Sequence, residues 1–122
     1  EDMQAASQTA GGNAITTNQV LYNLSRRGIE WDLLPWCRQH QIPIMAYSPI
    51  EQGRLLHHPA LQAIAIARQV TTAQVAIAWL LHQENVIVIP KSSRIEHVEQ
   101  NRAALDLKLT DEDLTTLEAA FP

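Results

Sequence analysis

Cysteine is almost absent from this chain of 122 residues, in which Cys37 is the single example. One thiol excludes an intrachain disulfide and any metal site built from several cysteines. Such usage fits a reducing compartment, so we expect a cytoplasmic protein. The chain also has no apolar run near the roughly 20 residues that a membrane-spanning helix needs, and we expect no membrane partner.

An excess of positive charge is missing as well. Lys and Arg number 9 against 13 Asp and Glu, which gives a formal net charge of −4 at pH 7. No basic stripe is visible, and this argues against nucleic acid as a partner. The adjacent His57 and His58 lack a third ligand at suitable spacing, so no metal site is predicted, and His58 is interpreted as an exposed helix-start residue.

What the sequence does contain is an alternation of strand-like and helix-like patterns, which is typical of βαβ units in a parallel sheet. Two pairs, Thr71 with Gln74 and Thr110 with Asp113, have the spacing of a helix capping box. Strands are predicted at 14–21, 42–47 and 86–89, and helices at 2–8, 32–41, 59–69, 71–82, 94–105 and after Thr110.

The segment 86–93 is the most informative, because an apolar run there delivers a proline, a lysine and two serines into a helical pattern. Such a run is typical of a parallel strand buried on both faces. Ligands of α/β proteins lie at the carboxyl ends of such strands, where the next helix also points its positive N-terminal end. We therefore interpret Lys91, Ser92 and Arg94 as a nucleotide phosphate site. The alternative is a strand-to-helix loop with a solvated lysine, since Lys-Ser pairs are common.

Four blocks of sequence place this segment in context. They are TNQVLY at 17–22, AYSPI at 46–50, TAQVAIAWL at 72–80 and IPKS at 89–92, and Asn101 follows Lys91 at a distance of ten residues. In this order the blocks resemble the C-terminal part of the aldo-keto reductases, over essentially the whole chain. Within that family, the segment 28–37 is similar to bacterial reductases of the methylglyoxal-reductase type.

The resemblance implies an α/β fold made of the C-terminal three βα units, six to eight, of a (β/α)8 TIM barrel. A complete barrel usually needs about 250 residues, so we expect an incomplete barrel. The partial barrel is expected to form a single domain over residues 1–122. Three tryptophans are expected to pack around the outer helices, namely Trp31, Trp36 and Trp79.

The same resemblance implies a nicotinamide dinucleotide cofactor, NADPH, with NADH as the alternative. Gln19 resembles the glutamine that hydrogen-bonds the nicotinamide carboxamide, and Tyr47 resembles the aromatic residue that stacks on the nicotinamide ring. The alternative for Tyr47 is a core tyrosine with a satisfied hydroxyl. Tyr22 also falls in a cofactor or substrate position of the family.

The pyrophosphate is expected along the loop 48–55, in contact with Ser48 and with backbone N–H groups near Ile50 and Gln52. Glu51 departs from the family pattern, in which a glycine is often found at this position. A carboxylate close to phosphate would cost affinity unless it points to solvent.

At the adenosine end, Lys91, Ser92 and Asn101 match family positions for the 2′-phosphate and adenine. His97 replaces the usual arginine and Gln100 the usual glutamate; a histidine stacks on adenine but is charged only near or below about pH 6.5. NADPH is thus favoured less strongly than by a full match. The predicted cofactor-binding residues are Gln19, Tyr47, Ser48, Ile50, Gln52, Lys91, Ser92, Arg94, His97 and Asn101.

The family's catalytic tetrad of tyrosine, lysine, aspartate and histidine has no counterpart in the matching segment, so no catalytic residue is assigned. The resemblance implies that the whole protein is an NADPH-dependent reductase of small aldehydes or ketones, and that this segment supplies cofactor binding. The alternative is a non-catalytic dinucleotide-binding or interaction fragment of a decayed or regulatory relative. Because the tetrad is missing, the isolated chain is expected to be inactive. Because three strands cannot close a barrel, it is also expected to self-associate or to be loosely packed.

Overall fold

The structure, a computed structural model, describes all residues from Glu1 to Pro122. Its sheet consists of three strands, namely β1 (Asn18–Leu21), β2 (Ile44–Tyr47) and β3 (Val86–Val88). The α-helices are α1 (Asp2–Ser7), α2 (Leu33–Gln39), α3 (Pro59–Arg68), α4 (Thr72–His82), α5 (Ile95–Ala103) and α6 (Asp111–Ala120).

The three strands are parallel and follow the order β1-β2-β3, so the predicted α/β arrangement is confirmed. The strands are shorter than their apolar patterns. β1 begins only at Asn18, because the residues that precede Asn18 are not paired with β2. The N–H of Asn18 donates to the carbonyl of Pro43 at 3.0 Å. Alternation along β2 buries Ile44 and Ala46 completely under the helices and turns Tyr47 to the opposite, open face.

Helix α4 forms the centre of the molecule. Its capping box is formed as predicted, because the Thr71 hydroxyl accepts from the N–H of Gln74 at 3.1 Å and the Gln74 side chain accepts from the N–H of Thr71 at 2.9 Å. Every residue from Gln74 to Leu80 is buried, which explains why the sequence is apolar nearly all round the helix. Helix α4 packs against α3, α5 and β3 and so fixes the position of the strand that leads to Lys91.

The prediction for the three tryptophans is wrong at one position. Trp79 is completely buried and Trp36 is half-buried, but Trp31 is 90% exposed. The residue before it explains the difference, since Glu30 ends a 3-10 turn with its carboxylate turned inward to accept from the Tyr22 hydroxyl at 2.7 Å. Trp31 follows on the outside of that turn.

Helices α3 and α4 are the most apolar pair in the chain. Taken together they have the length and composition of a membrane span, but a bend of 94° separates them, and no single helix is long and apolar enough to cross a membrane. The bend lies at Gln69–Thr71, where Gln69 adopts a left-handed conformation and ends α3.

A buried carboxylate helps to link helix α6 to α3. Asp113 accepts from the N–H of Thr110 at 2.9 Å in a capping box and pairs with Arg68 at 2.7 Å. Burial alone would raise the pKa of Asp113, but the hydrogen bonds from Thr110 and the pairing with Arg68 outweigh it and hold that pKa below its ordinary value.

We therefore expect Asp113→Asn to lower the free energy of unfolding by about 1–2 kcal/mol at pH 7. Because the pKa of Asp113 is lower in the folded than in the unfolded chain, its carboxylate stabilises the fold above the unfolded pKa of about 3.9. This contribution is lost as the pH falls further, so the difference in unfolding free energy between the variant and the unchanged chain should narrow below about pH 4. Urea unfolding at pH 7 and below about pH 4 measures this difference in unfolding free energy. Asp111→Asn in the exposed first turn is the control, and an equal loss in both variants would contradict the assignment.

Candidate functional site

The face of the sheet that carries no helix presents the first two candidate residues. Gln19, Met45 and Ile87 lie side by side on it in register, and Tyr47 lies two positions further along β2. Gln19 is exposed and Tyr47 is 40% exposed. The two side chains that were predicted to meet the nicotinamide thus share one accessible surface, and Tyr47 is not a core tyrosine in this chain.

The loop that follows β2 has an unusual backbone. Ser48, Glu51 and Gln52 have positive φ values of 51°, 46° and 55°, and Gly53 has a φ of 89°. Each positive φ at a residue other than glycine costs about 1–2 kcal/mol. The family's frequent glycine at position 51 therefore has a simple conformational reason. In this chain the contacts of the loop must compensate for the cost.

A buried amide supplies those contacts. Asn23 is completely buried, and its Nδ2 group donates to the carbonyl of Ser48 at 2.9 Å and to Glu51 Oε2 at 2.7 Å. Arg26 donates to Glu51 Oε1 through Nε and Nη2, both at 3.1 Å. The hydrogen bond from Asn23, followed by the one from Arg26, holds the pKa of Glu51 below its usual range although burial opposes the effect. The carboxylate of Glu51 is thus held by protein donors.

Five of the ten candidate residues line a single cavity of about 250 Å³ beside the end of β3, namely Ile50, Lys91, Ser92, His97 and Asn101. Sequence reasoning did not assign four other residues of this cavity, Leu56, Thr71, Thr72 and Ala73. Of these, Thr71 was interpreted only as a helix cap, and Thr72 and Ala73 only as part of the family block 72–80. Gln100, which replaces the family's usual glutamate, also lines the cavity.

The charges around this cavity suit an anion. Lys91 and His97 are the only ionisable residues that line it, and Lys91 pairs with no carboxylate. The Arg94 guanidinium lies outside the lining and pairs with Glu96 at 3.1 Å. The Ser92 hydroxyl accepts from the N–H of Arg94 at 3.1 Å and so helps to start α5. Lys91 is therefore the unpaired cation of the site.

The other candidate residues lie apart from this cavity. Ser48 and the exposed Gln52 belong to the loop between the open sheet face and the cavity, and neither lines it. Together with Gln19 and Tyr47 they extend the candidate site from the sheet face, along the loop, to the end of β3.

Tyr22 does not belong to this surface. It is completely buried, lies 5.6 Å from Trp79 between ring centroids, and donates its hydroxyl to Glu30. Burial and the neighbouring Glu30 raise the pKa of its phenol far above the ordinary value. The placement of Tyr22 in a cofactor or substrate position is therefore wrong for this chain, and its role is structural.

A surface cavity of about 660 Å³, larger than the one at the end of β3, contains none of the ten candidate residues. It is open and is lined by charged and aromatic groups that include Arg26, Arg54, His57 and Phe121. His58 also lines it, and its ring accepts from the N–H of Ala60 at the start of α3. No group of three or more His, Cys, Asp or Glu side chains is close enough to hold a metal ion. Size alone therefore does not identify the functional surface.

Comparison with known proteins gives consistent matches. The model of the aldo/keto reductase family matches residues 1–121. The chain is 48% identical to methylglyoxal reductase YeaE of Escherichia coli (strain K12), over 99% of this chain and 44% of that protein. It therefore spans less than half the length of this relative.

Solved structures agree with these matches. A crystal structure of an aldo/keto reductase from Klebsiella pneumoniae in complex with NADP and acetate has a TM-score of 0.95 and 50% identity, over 99% of this chain and 44% of that one. A second structure from the same organism, in complex with NADPH, gives the same values. The thermostable aldo-keto reductase Tm1743 has a TM-score of 0.78 and 36% identity, over 84% of this chain and 38% of that one.

These structures are TIM barrels of which this chain covers the portion formed by its three parallel βα units, so the expected incomplete barrel is confirmed. Since the family model matches nearly every residue, this chain belongs to the aldo/keto reductase family.

Proposed function

We propose that the chain is the cofactor-binding portion of an NADPH-dependent aldo-keto reductase that reduces small aldehydes or ketones. The observation that carries the proposal is the cavity at the end of β3, which is lined by five candidate residues and by no carboxylate. The Klebsiella pneumoniae relatives in complex with NADP and NADPH support the same choice of cofactor.

The residues fit the parts of this cofactor in order along the surface. Gln19 offers an amide that can both donate to and accept from the carboxamide, and Tyr47 offers an exposed ring on which the nicotinamide would stack. Lys91 would pair with the 2′-phosphate, while His97 and Asn101 would contact the adenine. The bound cofactor supplies the hydride, and these side chains orient it.

Selectivity for NADPH over NADH depends on Lys91 in this proposal. Arg94 is already paired with Glu96, whereas Lys91 pairs with no carboxylate. One unpaired cation therefore distinguishes the two cofactors, so NADH is expected to bind measurably.

The substrate site and the proton donor belong, in this proposal, to further βα units that complete the barrel. The chain spans 44% of its Escherichia coli relative, and its resemblance to the family places the catalytic tetrad outside the matching segment. On its own, the chain is proposed to be inactive and to associate through its open sheet face.

A chimera tests the proposal. The part of Escherichia coli YeaE that the match leaves uncovered would be joined in front of residues 1–122 of this chain. We expect the chimera to oxidise NADPH with methylglyoxal as substrate, followed by the loss of NADPH absorbance, with YeaE itself as the positive control. A folded chimera that neither binds nor oxidises NADPH would overturn the proposal. Binding without turnover would instead favour the non-catalytic alternative.

In this chimera, Lys91→Met is expected to weaken NADPH binding by about 1.5–3 kcal/mol, because a charge-assisted bond to the 2′-phosphate is lost, and to leave NADH binding nearly unchanged. Fluorescence titration with each cofactor gives the two dissociation constants.

The chain offers a matched control for this substitution in its other lysine, Lys108, which is exposed and lies outside the site. Lys108→Met should leave both constants unchanged. An equal loss for NADPH and NADH in the Lys91 variant would mean that Lys91 does not contact the 2′-phosphate.

A further inference from the structure

The loop that follows β2, between the open sheet face and the cavity at the end of β3, is hydrogen-bonded to the loop after β1. The tie consists of Asn23, Glu51 and Arg26, and we name these three residues the loop clamp. Both hydrogens of the Asn23 amide are used, one on the Ser48 carbonyl and one on the Glu51 carboxylate. Its oxygen accepts from the N–H of Ser25 at 3.0 Å. The opposite orientation of the amide would face its oxygen toward two acceptors, so the contacts define the orientation.

The loop clamp lies where the backbone needs support. Ser48 and Glu51, the two residues that Asn23 contacts, are themselves in the left-handed region. A glycine at position 51 would adopt this φ without strain, as the family pattern allows. This chain has a glutamate there instead. The backbone at position 51 is therefore strained, but the side chain forms hydrogen bonds to the neighbouring loop.

The charge of Glu51 is also accounted for by the loop clamp. Its side chain is 13% exposed, and three N–H groups from Asn23 and Arg26 point at its two oxygens. A carboxylate that is neutralised in this way repels a nearby phosphate less than a free one does. The departure from the family pattern is thus compatible with an anionic ligand on the same loop.

We propose that Glu51 is a positioning residue that, through Asn23 and Arg26, holds the loop 48–53 in the conformation that binds the cofactor's pyrophosphate. This inference rests on the proposed function for its ligand. Glu51 would act on cofactor affinity through the geometry of the loop, without contact with the reacting atoms. Loss of its side chain should therefore raise the KM for NADPH and leave kcat unchanged.

The first test uses the chain itself and no cofactor. Arg54 follows Gly53 and is exposed, so trypsin can report on the loop by cleavage after this residue. Glu51→Ala is expected to raise the rate of that cleavage about tenfold, because a loop without its tie opens more often. Asp106→Ala removes the carboxylate of an exposed ion pair with Arg102 and is the matched control. Unchanged cleavage after Arg54 in the Glu51 variant would overturn the loop clamp.

The second test uses the chimera. Glu51→Ala is expected to raise the KM for NADPH about tenfold while kcat stays within about twofold. Arg26→Met should raise it less, and because Arg26 is 54% exposed this variant is not expected to disturb folding. Glu51→Gly restores the residue that the family often has at this position and relieves the backbone strain, so it should bind NADPH more tightly than Glu51→Ala does. If Glu51→Ala binds NADPH as well as the unchanged chimera does, the proposal is wrong.

The two tests separate the inference from the proposed function. An unchanged chimera that does not bind NADPH would overturn the function, and the trypsin measurement would still decide whether Glu51 holds the loop. A chimera that uses NADPH, together with a Glu51→Ala variant of unchanged KM, would overturn the positioning role alone.

Discussion

The 122-residue chain on its own is expected to show no oxidation of NADPH with methylglyoxal or a nitrobenzaldehyde above the rate in buffer. Its only tyrosines are Tyr22, which is buried against Trp79, and Tyr47, which is predicted to stack on the cofactor. General acid–base catalysis alone contributes about 10²–10⁴-fold to an enzymatic rate, and we assign this role to no group of this chain. NADPH oxidation by the isolated chain should therefore be undetectable in an absorbance assay.

The chimera with the Escherichia coli segment is the positive control for this result, measured at the same concentration of residues 1–122. A heat-treated sample of the chain shows the background. Turnover by the unheated chain that heating abolishes would contradict the prediction. It would also mean that a proton donor lies among residues to which we assign none.

We also expect the isolated chain to self-associate at micromolar concentration. The open sheet face carries Tyr47, Ile87 and Ile89, which are 40%, 43% and 36% exposed, and both outer strands leave backbone groups unpaired. Burial of this face against a second copy would remove apolar surface from water, which stabilises the association by about 25 cal/mol per Å². Size-exclusion chromatography with light scattering gives the mass directly.

A matched pair of substitutions locates the contact. Ile87→Lys places a charge on the open face and should shift the population toward the monomer, whereas Ile66→Lys, at a position that is 78% exposed on the outside of α3, should not. Near-UV circular dichroism follows the combined signal of Trp31, Trp36 and the buried Trp79 in each sample. A monomeric unchanged chain with a sharp tryptophan signal and a cooperative melt would contradict self-association.

Much of the fold could be predicted because local signals and the global arrangement agree. The capping boxes at Thr71 and Thr110 mark the starts of α4 and α6 correctly, and the apolar run at 86–89 marks β3 to within one residue. Strand ends were less predictable, since a strand ends where its partner ends. The apolar pattern that begins at Ala14 therefore overestimated the length of β1.

The site was predictable where family motifs carry it and not where it depends on distant contacts. Lys91, His97 and Asn101 come together around one cavity as their spacing and resemblance suggest, and their contact with the cofactor stays a prediction. The sequence contains no sign that Glu51 meets Asn23, because 28 residues separate them and only the pairing of β1 with β2 joins their loops. The exposure of Trp31 was unpredictable for a similar reason, since it depends on the inward turn of Glu30.

The order of the strands in the sheet has a consequence for how the chain acquires its structure. Each strand pairs only with the strand that precedes or follows it in the chain, so β1 and β2 can form their ladder before β3 has left the ribosome. Every pairing closes a loop of one βα unit and none of greater length, which keeps the contact order low for a parallel sheet. The pair of β1 and β2 already brings Asn23 to Glu51, so the bent loop can form before Lys91 has left the ribosome.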